Sequence, residues 1–352
     1  MQSQRLLALD LFRGLTILFM IMVNSPNTYG EFAHAYWQGI TFADFIFPFF
    51  LVIVGVAVAI GLQPVQRTAQ EISAARVKIL RRTLILFALG IFVNLMYLKF
   101  ADLRILGVLQ RIALVYLVCA LLAMHCSTKR LIQITVFILL SYWLLILLVP
   151  APGLSAGQLE RGANLINWFD SQFLPGMLWR GTWDPEGILS TFPAIGTCLI
   201  GVLVGTYLKK KTIEPATKIA WLFSAGTLLF IGGLLWDLQF PINKSLWTSS
   251  YVLYTGGLAT VILALSYWLI DVNQYNRFTK PFVVYGVNAI TVFFLSGLMP
   301  RLLNMIKIDF EGEKVGALNY VNKALFANSF TNPLNASLAY AVAFVLFWYI
   351  VL

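Results

Sequence analysis

The chain has 352 residues, of which 59% are hydrophobic and only 11% are charged. Soluble globular proteins carry about 25% charged residues, so this composition excludes that class. The net charge of +10 is concentrated in alternate loops. This distribution reflects membrane topology and not nucleic-acid binding, so we expect a lipid bilayer and no nucleic acid as partner.

Apolar runs recur along the whole chain, each near the roughly 20 residues that a transmembrane helix needs. Backbone polar groups in lipid must be satisfied internally, so these runs predict helices, and the short alternating segments of a membrane barrel are absent. The sequence therefore predicts an all-α polytopic integral membrane helical bundle of about ten transmembrane helices. The predicted spans are roughly 11–24, 41–62, 83–98, 106–125, 131–149, 188–208, 217–236, 251–270, 282–299 and 335–352.

The first span begins with two ionisable residues, Asp10 and Arg13. They are three residues apart, so they share a helix face and can pair. One interpretation is an ion pair that holds the first helix in the bundle; the other is a contact to a polar cofactor entering from the cytoplasm. The charges and the missing cleavage site also predict that this span is not a cleaved signal peptide. By the positive-inside rule, the N-terminus faces the cytoplasm.

The segment from Asn24 to Asp44 is the first candidate for chemistry. His34, one of two histidines, is predicted in a short non-cytoplasmic loop between the first two spans. A histidine near a carboxylate such as Asp44 is the minimal general-base arrangement, although Asp44 could also cap the second helix. On residue types alone, a structural and a catalytic His34 stay open as alternatives. His125, at a cytoplasmic helix end, is predicted to be a surface residue.

We predict a single transmembrane domain over residues 1–352, with long non-cytoplasmic loops at about 150–187 and 300–334. The first loop is rich in aromatic residues and is expected to form a packed cap. Its rings could stack on sugar faces or lie at the membrane interface, where Trp and Tyr are common. The three cysteines show no metal spacing, so we expect buried thiols and no metal.

Further polar residues flank the later spans, most of them at the predicted membrane face of His34. Their convergence indicates a site at that face, and Asn288 lies inside the ninth span. These candidate binding residues are Arg104, Gln110, Arg111, Asp184, Glu186, Asn243, Lys244, Trp247 and Asn288.

Several sequence blocks occur in order along the chain. They are Asp10-Leu11-Phe12-Arg13-Gly14, Val23-Asn24, His34-Ala35 with Trp37, Ala43-Asp44, Gly107-Val108-Leu109-Gln110-Arg111, Asp184-Pro185-Glu186-Gly187, Asn243-Lys244 with Leu246-Trp247, and Asn288. Together they resemble the transmembrane acyltransferase family of heparan-α-glucosaminide N-acetyltransferase, in its shorter bacterial form without the large lumenal domain. The segment between Asn24 and His34 differs from the lysosomal enzyme in length and sequence.

The resemblance implies an acyltransferase of the bacterial inner membrane that takes acetyl from cytoplasmic acetyl-CoA. The acceptor would be the amine of glucosamine or a related amino sugar on the periplasmic side, free or oligomeric because the lumenal domain is lacking. The resemblance places the catalytic histidine on His34 and the catalytic asparagine on Asn24. Our own expectation is that Asp44 orients the imidazole. It also adds Asp10, Arg13 and Trp37 to the binding residues and implies a homodimer.

Two chemical routes and two rival classes stay open. His34 could deprotonate the attacking ammonium while Asn24 donates to the carbonyl oxygen, or it could itself carry the acetyl group as an acyl-imidazole. An amino-sugar transporter would suit ten spans with intramembrane polar residues, but the internal repeat of many transporter folds is missing. A membrane scaffold without catalysis would make the sequence blocks a coincidence.

Overall fold

The computed structural model describes residues 6–25, 29–62, 68–96, 103–179 and 181–352. Helices dominate these residues, as the sequence predicts. The α-helices are α1 (Leu7–Asn24), α2 (Phe42–Gly61), α3 (Ala69–Leu95), α4 (Val108–His125), α5 (Thr128–Leu148), α6 (Leu165–Phe173), α7 (Ile188–Leu208), α8 (Pro215–Asp237), α9 (Ser249–Ser266), α10 (Lys280–Val287), α11 (Ala289–Met305), α12 (Ala317–Leu325) and α13 (Pro333–Val351). Two short antiparallel hairpins accompany them, β1 (Leu159–Glu160) with β2 (Ala163–Asn164), and β3 (Lys307–Phe310) with β4 (Glu313–Gly316).

The lengths and apolar composition of the helices confirm a polytopic membrane protein. Within the described residues, eight helices qualify as membrane spans, namely α1, α2, α4, α5, α7, α8, α9 with the turn that follows it, and α13. The predicted span 282–299 is not one continuous helix: α10 and α11 form this segment and are bent by 80° at Asn288. Counted as one broken span, they make a ninth candidate.

The remaining predicted span, 83–98, corresponds to the apolar second half of α3. This helix is 27 residues long, begins with a capping box between Thr68 and Glu71, and carries Arg76 and Arg82 before its apolar part. The described residues end at Met96, so positions 97 and 98 of the prediction lie outside them.

The chain divides into two compact units, and unit 1 comprises the described residues of Met1–Ala35, Thr41–Ile46 and Leu269–Leu352. Its core is the close packing of α1 on α10. Gly14 lies against the backbone of Phe282, and Gly286 lies against the backbone of Asp10, with no room for a Cβ atom at either glycine. Small residues at such contacts let membrane helices approach closely.

Unit 2 comprises Tyr36–Ile40 and Phe47–Trp268. Most of α2 belongs to it, together with α3 to α9. The predicted loop 150–187 is folded here into the β1–β2 hairpin and α6. A buried cluster formed by Trp37, Tyr142, Ile146, Ile166, Trp183, Phe240 and Leu246 holds this loop on the spans of the same unit. The prediction of a single domain stays a prediction.

Candidate active site

His34 and Asp44 form the central polar contact of unit 1. Asp44 lies in the first turn of α2 and is fully buried. Its Oδ1 atom is 2.8 Å from Nδ1 of His34. Its Oδ2 atom accepts the N–H groups of Ala35 and Thr41 and the hydroxyl of Thr41, each at 3.0 Å. One carboxylate therefore both caps the helix and contacts the imidazole, so the two predicted roles of Asp44 coexist.

These contacts determine which ring nitrogen of His34 carries the proton. A carboxylate that accepts three N–H and O–H groups acts as an acceptor toward the imidazole as well, so Nδ1–H donates to Asp44. The lone pair of the neutral ring then lies on Nε2. The His34 side chain is 51% exposed, so a ligand can approach it without a change in the buried core.

Asn24, the second predicted catalytic residue, is the last residue of α1 and is exposed. Residues 26–28, which follow it, lie outside the described residues. No hydrogen bond joins Asn24 to His34 in the part of the chain that is described. The catalytic role of Asn24 therefore stays a prediction.

The remaining candidates of unit 1 make contacts within its helices. Arg13 donates to Asp10 Oδ1 at 3.1 Å and to the carbonyl oxygen of Gly286 at 3.3 Å, which ties α1 to α10. Asn288 donates from Nδ2 to the carbonyl oxygen of Val284 at 3.0 Å, at the bend between α10 and α11. These contacts favour the ion-pair interpretation of Asp10 and Arg13, while a cofactor contact stays a prediction.

In unit 2, Arg104 connects two acidic residues that precede α7. Its Nε atom donates to Asp184 Oδ2 at 2.7 Å, and its Nη2 atom lies 2.5 Å from both Asp184 Oδ1 and Glu186 Oε2. The guanidinium also stacks over Trp179, with 5.0 Å to the ring centroid. All three charged side chains are nearly buried. The sequence candidates Arg104, Asp184 and Glu186 thus form one ion network.

The charged groups of this network shift the pKa values of Arg104 and Glu186. Burial by itself raises the pKa of Glu186, but the positive charges of Arg104, Arg111 and Lys244 outweigh it and leave that pKa below its usual value. Burial by itself lowers the pKa of Arg104, but the hydrogen bond with Asp184 and the charge of Glu186 raise it above its usual value. Arg104 and Glu186 are therefore ionised at neutral pH.

Arg111 is a fully buried cation in the first turn of α4. Its Nη2 atom donates to the carbonyl oxygen of Gly187 at 3.2 Å and to the hydroxyl of Ser190, and its guanidinium lies 5.0 Å from the ring centroid of Trp247. Within the described residues, Nε and Nη1 of Arg111 have no hydrogen-bond partner. Trp247 has a φ of 53°, which is unusual for a residue other than glycine.

Asp170 is a buried acid that the sequence analysis missed. Its Oδ1 atom accepts the N–H of Ile188 at 2.8 Å, at the start of α7, and Oδ2 lies against Gly187 without a hydrogen bond from any described residue. Burial, reinforced by the charge of Asp184, raises the pKa of Asp170 to about 7 against the opposing effects of Ile188 and Arg111. No sequence motif marks this residue, because its burial depends on the folding of α6 against α7.

The other candidates of unit 2 surround these groups. Gln110 packs against Gly90 and is buried, Asn243 Oδ1 accepts the N–H of Leu246 at 2.9 Å, and Lys244 acts through its charge on Glu186. Trp37 donates from Nε1 to the carbonyl oxygen of Leu159 at 2.8 Å. The structure therefore joins Arg104, Asp184 and Glu186 in unit 2, and His34 with Asp44 and Asp10 with Arg13 in unit 1. The binding roles of all these residues stay predictions.

These features define a polytopic helical membrane protein whose ionisable groups are organised in pairs and networks at helix ends. The sequence model described as "Heparan-alpha-glucosaminide N-acetyltransferase, catalytic" matches residues 5–236. The chain belongs to this family, which confirms the resemblance drawn from the sequence blocks.

Two curated relatives carry the name heparan-alpha-glucosaminide N-acetyltransferase. The Homo sapiens protein is 30% identical over 346 residues, which cover 82% of this chain and 52% of the relative. The Mus musculus protein is 30% identical over 349 residues, with 83% and 53% covered. The chain thus spans about half the length of the curated relatives that it matches. The matched family region includes His34, Asp44 and Arg104 but ends before Asn243.

Proposed function

We propose that this protein is a membrane-bound N-acetyltransferase. It would move acetyl from cytoplasmic acetyl-CoA to the amine of glucosamine or a related amino sugar on the periplasmic side of the inner membrane. The observation that carries the proposal is the oriented His34–Asp44 pair in a chain that belongs to an N-acetyltransferase family. The N-terminus on the cytoplasmic side and a homodimer belong to the same proposal.

The proposed chemistry begins with the proton of the acceptor. An amino-sugar ammonium must become neutral before its nitrogen can attack the thioester carbon, and His34 Nε2 takes that proton while Asp44 holds Nδ1–H. The new C–N bond then forms, and the C–S bond breaks as the imidazolium gives its proton to the departing thiolate. The imidazole, neutral again, takes the second proton from the acetylated nitrogen and releases it to water. Asn24 would donate a hydrogen bond to the carbonyl oxygen as negative charge develops there.

The alternative route makes the same Nε2 atom a nucleophile. It would attack the thioester, release CoA, and carry the acetyl group as an acyl-imidazole until the amine displaces it. Incubation with labelled acetyl-CoA in the absence of acceptor distinguishes the routes. A labelled enzyme that releases its acetyl group to glucosamine supports the nucleophile, and an unlabelled enzyme that still turns over supports the general base.

One observation favours a second candidate, an amino-sugar transporter. The 80° bend between α10 and α11 produces a discontinuous membrane helix, as in many transporter binding sites. We place it second because the sequence match is to an acetyltransferase family.

Vesicles with the protein reconstituted in a known orientation test both candidates. Acetyl-CoA is supplied on the cytoplasmic face, and glucosamine is enclosed on the opposite side. The acetyltransferase predicts N-acetylglucosamine in the lumen, at a rate that depends on acetyl-CoA. Movement of unmodified glucosamine without any dependence on acetyl-CoA would support the transporter instead. His125→Ala is a matched control, because it removes the chain's other histidine from a predicted surface position.

A further inference from the structure

Basic residues gather at one end of unit 2, where α3 and α5 begin and α4 ends. The Nη2 atom of Arg76 in α3 lies 3.1 Å from Nε2 of His125, the last residue of α4. Cys126 and Ser127 connect α4 to α5, whose first turn contains Lys129 and Arg130. We call Arg76, Lys129 and Arg130 the basic corner, and all three side chains are exposed.

The basic corner has no carboxylate partner in the part of the chain that the structure describes. Residues 103–159, which contain α4 and α5, include no Asp or Glu, and the acid of α3, Glu71, binds Thr68 in the capping box. An arginine can only donate, so His125 accepts from Arg76 and brings no negative charge. None of the three cations is within ion-pair distance of a described carboxylate.

Two of these cations occupy positions that an α-helix disfavours. The N-terminus of a helix carries a partial positive charge, so acidic residues are favourable in the first turn and basic residues are not. The first turn of α5 contains Lys129 and Arg130 and no acid. An anion from outside the chain would offset this repulsion and would also neutralise Arg76.

Exposed apolar side chains follow the cations along both helices. Beyond the basic corner, α3 and α5 each carry a row of them. These residues are Val77, Leu80 and Leu84 in α3 and Ile132, Val136 and Phe137 in α5. Charge at the helix start and exposed apolar surface beyond it is the order in which a phospholipid presents its phosphate and its acyl chains.

Helix length places the basic corner at the membrane boundary. The 21 residues of α5 span about 32 Å, close to the hydrocarbon thickness of about 30 Å, so its first turn lies at the boundary. The 27 residues of α3 span about 40 Å, which exceeds that thickness by roughly seven residues. With Leu95 at the opposite boundary, the excess is the segment 69–75, and Arg76 follows it.

We propose that the basic corner binds the headgroup phosphate of an anionic phospholipid, whose acyl chains lie on the exposed apolar surface of α3 and α5. The guanidinium groups of Arg76 and Arg130 donate paired N–H groups to phosphate oxygens, and Lys129 adds a point charge. Lipid binding at this corner does not depend on the proposed acetyltransferase function.

Native mass spectrometry of the full chain in detergent tests the proposal. The protein is titrated with phosphatidylglycerol and with phosphatidylcholine of the same acyl chains. Each basic residue near an anionic headgroup contributes about fivefold to affinity, so Arg76→Gln with Arg130→Gln should weaken phosphatidylglycerol binding roughly 25-fold. Binding of zwitterionic phosphatidylcholine should change less than about twofold. Equal phosphatidylglycerol affinity of the wild type and this double variant would overturn the proposal.

Lys210→Gln with Lys211→Gln is the matched control. It removes the same charge from two exposed lysines of unit 2 that follow α7. This pair should leave phosphatidylglycerol binding within about twofold of wild type. A loss as large as that of the arginine pair would show that net charge alone attracts the lipid, which contradicts a site at the basic corner.

Arg76→Lys with Arg130→Lys separates the charge of the basic corner from its contribution to folding. This variant keeps both positive charges, so it should keep most of the phosphatidylglycerol affinity. If it loses as much affinity as the glutamine pair, the charge of the corner does not bind the lipid and the proposal fails. Circular dichroism in detergent verifies that each double variant is folded.

CoA and free phosphate esters carry related phosphate chemistry, and two further titrations distinguish them from lipid. CoA should bind wild type and the glutamine pair equally. Weaker CoA binding by that pair, with phosphatidylglycerol binding unchanged, would assign the cations to a nucleotide and overturn the proposal. Glycerol 3-phosphate lacks acyl chains and should not displace phosphatidylglycerol at equal concentration. Displacement would show that the apolar surface adds nothing, again contrary to the proposal.

Discussion

Asp44 holds His34 through a 2.8 Å contact between Oδ1 and Nδ1, while its other oxygen closes the intervening loop onto α2 through Ala35 and Thr41. The carboxylate is fully buried, whereas the imidazole is half exposed. The orientation of the imidazole is therefore determined by the fold around Asp44. A ligand need only meet the ring at its exposed side.

Replacing Asp44 by asparagine should separate this orienting role from binding. The substituted side-chain amide would offer an N–H donor where the carboxylate accepts, which disturbs the loop contacts or the tautomer of His34. We expect kcat to fall by about 100-fold or more, as in other sites where the histidine loses its orienting carboxylate. The KM for acetyl-CoA should change little. Steady-state kinetics in detergent, together with direct titration of CoA, measure both quantities.

Asp309→Asn is the matched control for this prediction. Asp309 is an exposed carboxylate of the same unit, in β3, so its loss should leave kcat unchanged. An Asp44→Asn protein with wild-type kcat would show that the His34–Asp44 contact does not serve catalysis.

The sequence predicted the helical class and the proximity of His34 to Asp44, because apolar length and a helix-capping acid are local properties. It did not predict the break of the ninth span at Asn288, since hydropathy is continuous across residues 282–299. The pairing of Arg104 with Asp184 and Glu186 could not be predicted from the sequence either, because the two acids lie 80 and 82 positions after Arg104. The sequence indicated each of these three residues only as a separate candidate binding residue beside a predicted span.

Arg104 should be the residue of the ion network that stability depends on most. Arg104→Gln removes the cation that contacts both Asp184 and Glu186, and breaking a buried ion pair in this way costs about 3–5 kcal/mol. Arg104→Lys keeps the charge but loses the bidentate contact with Asp184, so this variant should lose less stability than Arg104→Gln. Thermal unfolding in detergent, followed by tryptophan fluorescence, should rank Tm as wild type, then lysine, then glutamine.

The effect of Arg104→Gln on Tm should also depend on pH, in a direction set by the pKa of Glu186. The pKa of Glu186 lies below its usual value of 4.5 in the folded protein. Its ion pairing therefore stabilises the fold above the unfolded-state pKa and is lost as pH falls through the folded-state value. The Tm difference between wild type and Arg104→Gln should shrink below about pH 4.5. A difference that is the same at about pH 3 and about pH 7 would contradict the ionic origin of the effect.

The contribution of Asp170 to the stability of the fold is expected to have the opposite pH dependence. Its pKa rises from 3.8 to about 7 on folding, so its contribution to stability is complete below the unfolded-state value and is lost as pH rises through 7. Asp170→Asn removes this titration but keeps an oxygen for the Ile188 N–H. Relative to wild type, the variant should gain stability between pH 5 and pH 8, on the order of a few kcal/mol.

Paired unfolding curves of wild type and Asp170→Asn at several pH values measure this gain. Groups that titrate equally in both proteins cancel in the difference. If the difference in Tm has the same value at pH 5 and pH 8, Asp170 is already ionised in the folded protein and the effect of its burial is refuted.

The catalytic role of His34 is best measured by acetyl transfer in the His34→Ala protein. The variant removes the side chain that takes the amine's proton or carries the acetyl group, while Asp44 keeps its bonds to Ala35 and Thr41. In oriented vesicles with labelled acetyl-CoA outside and glucosamine inside, we predict no labelled N-acetylglucosamine above the protein-free background, with CoA binding and Tm close to wild type. A His34→Ala protein that still delivers labelled product at a near-wild-type rate would show that His34 takes no part in acetyl transfer.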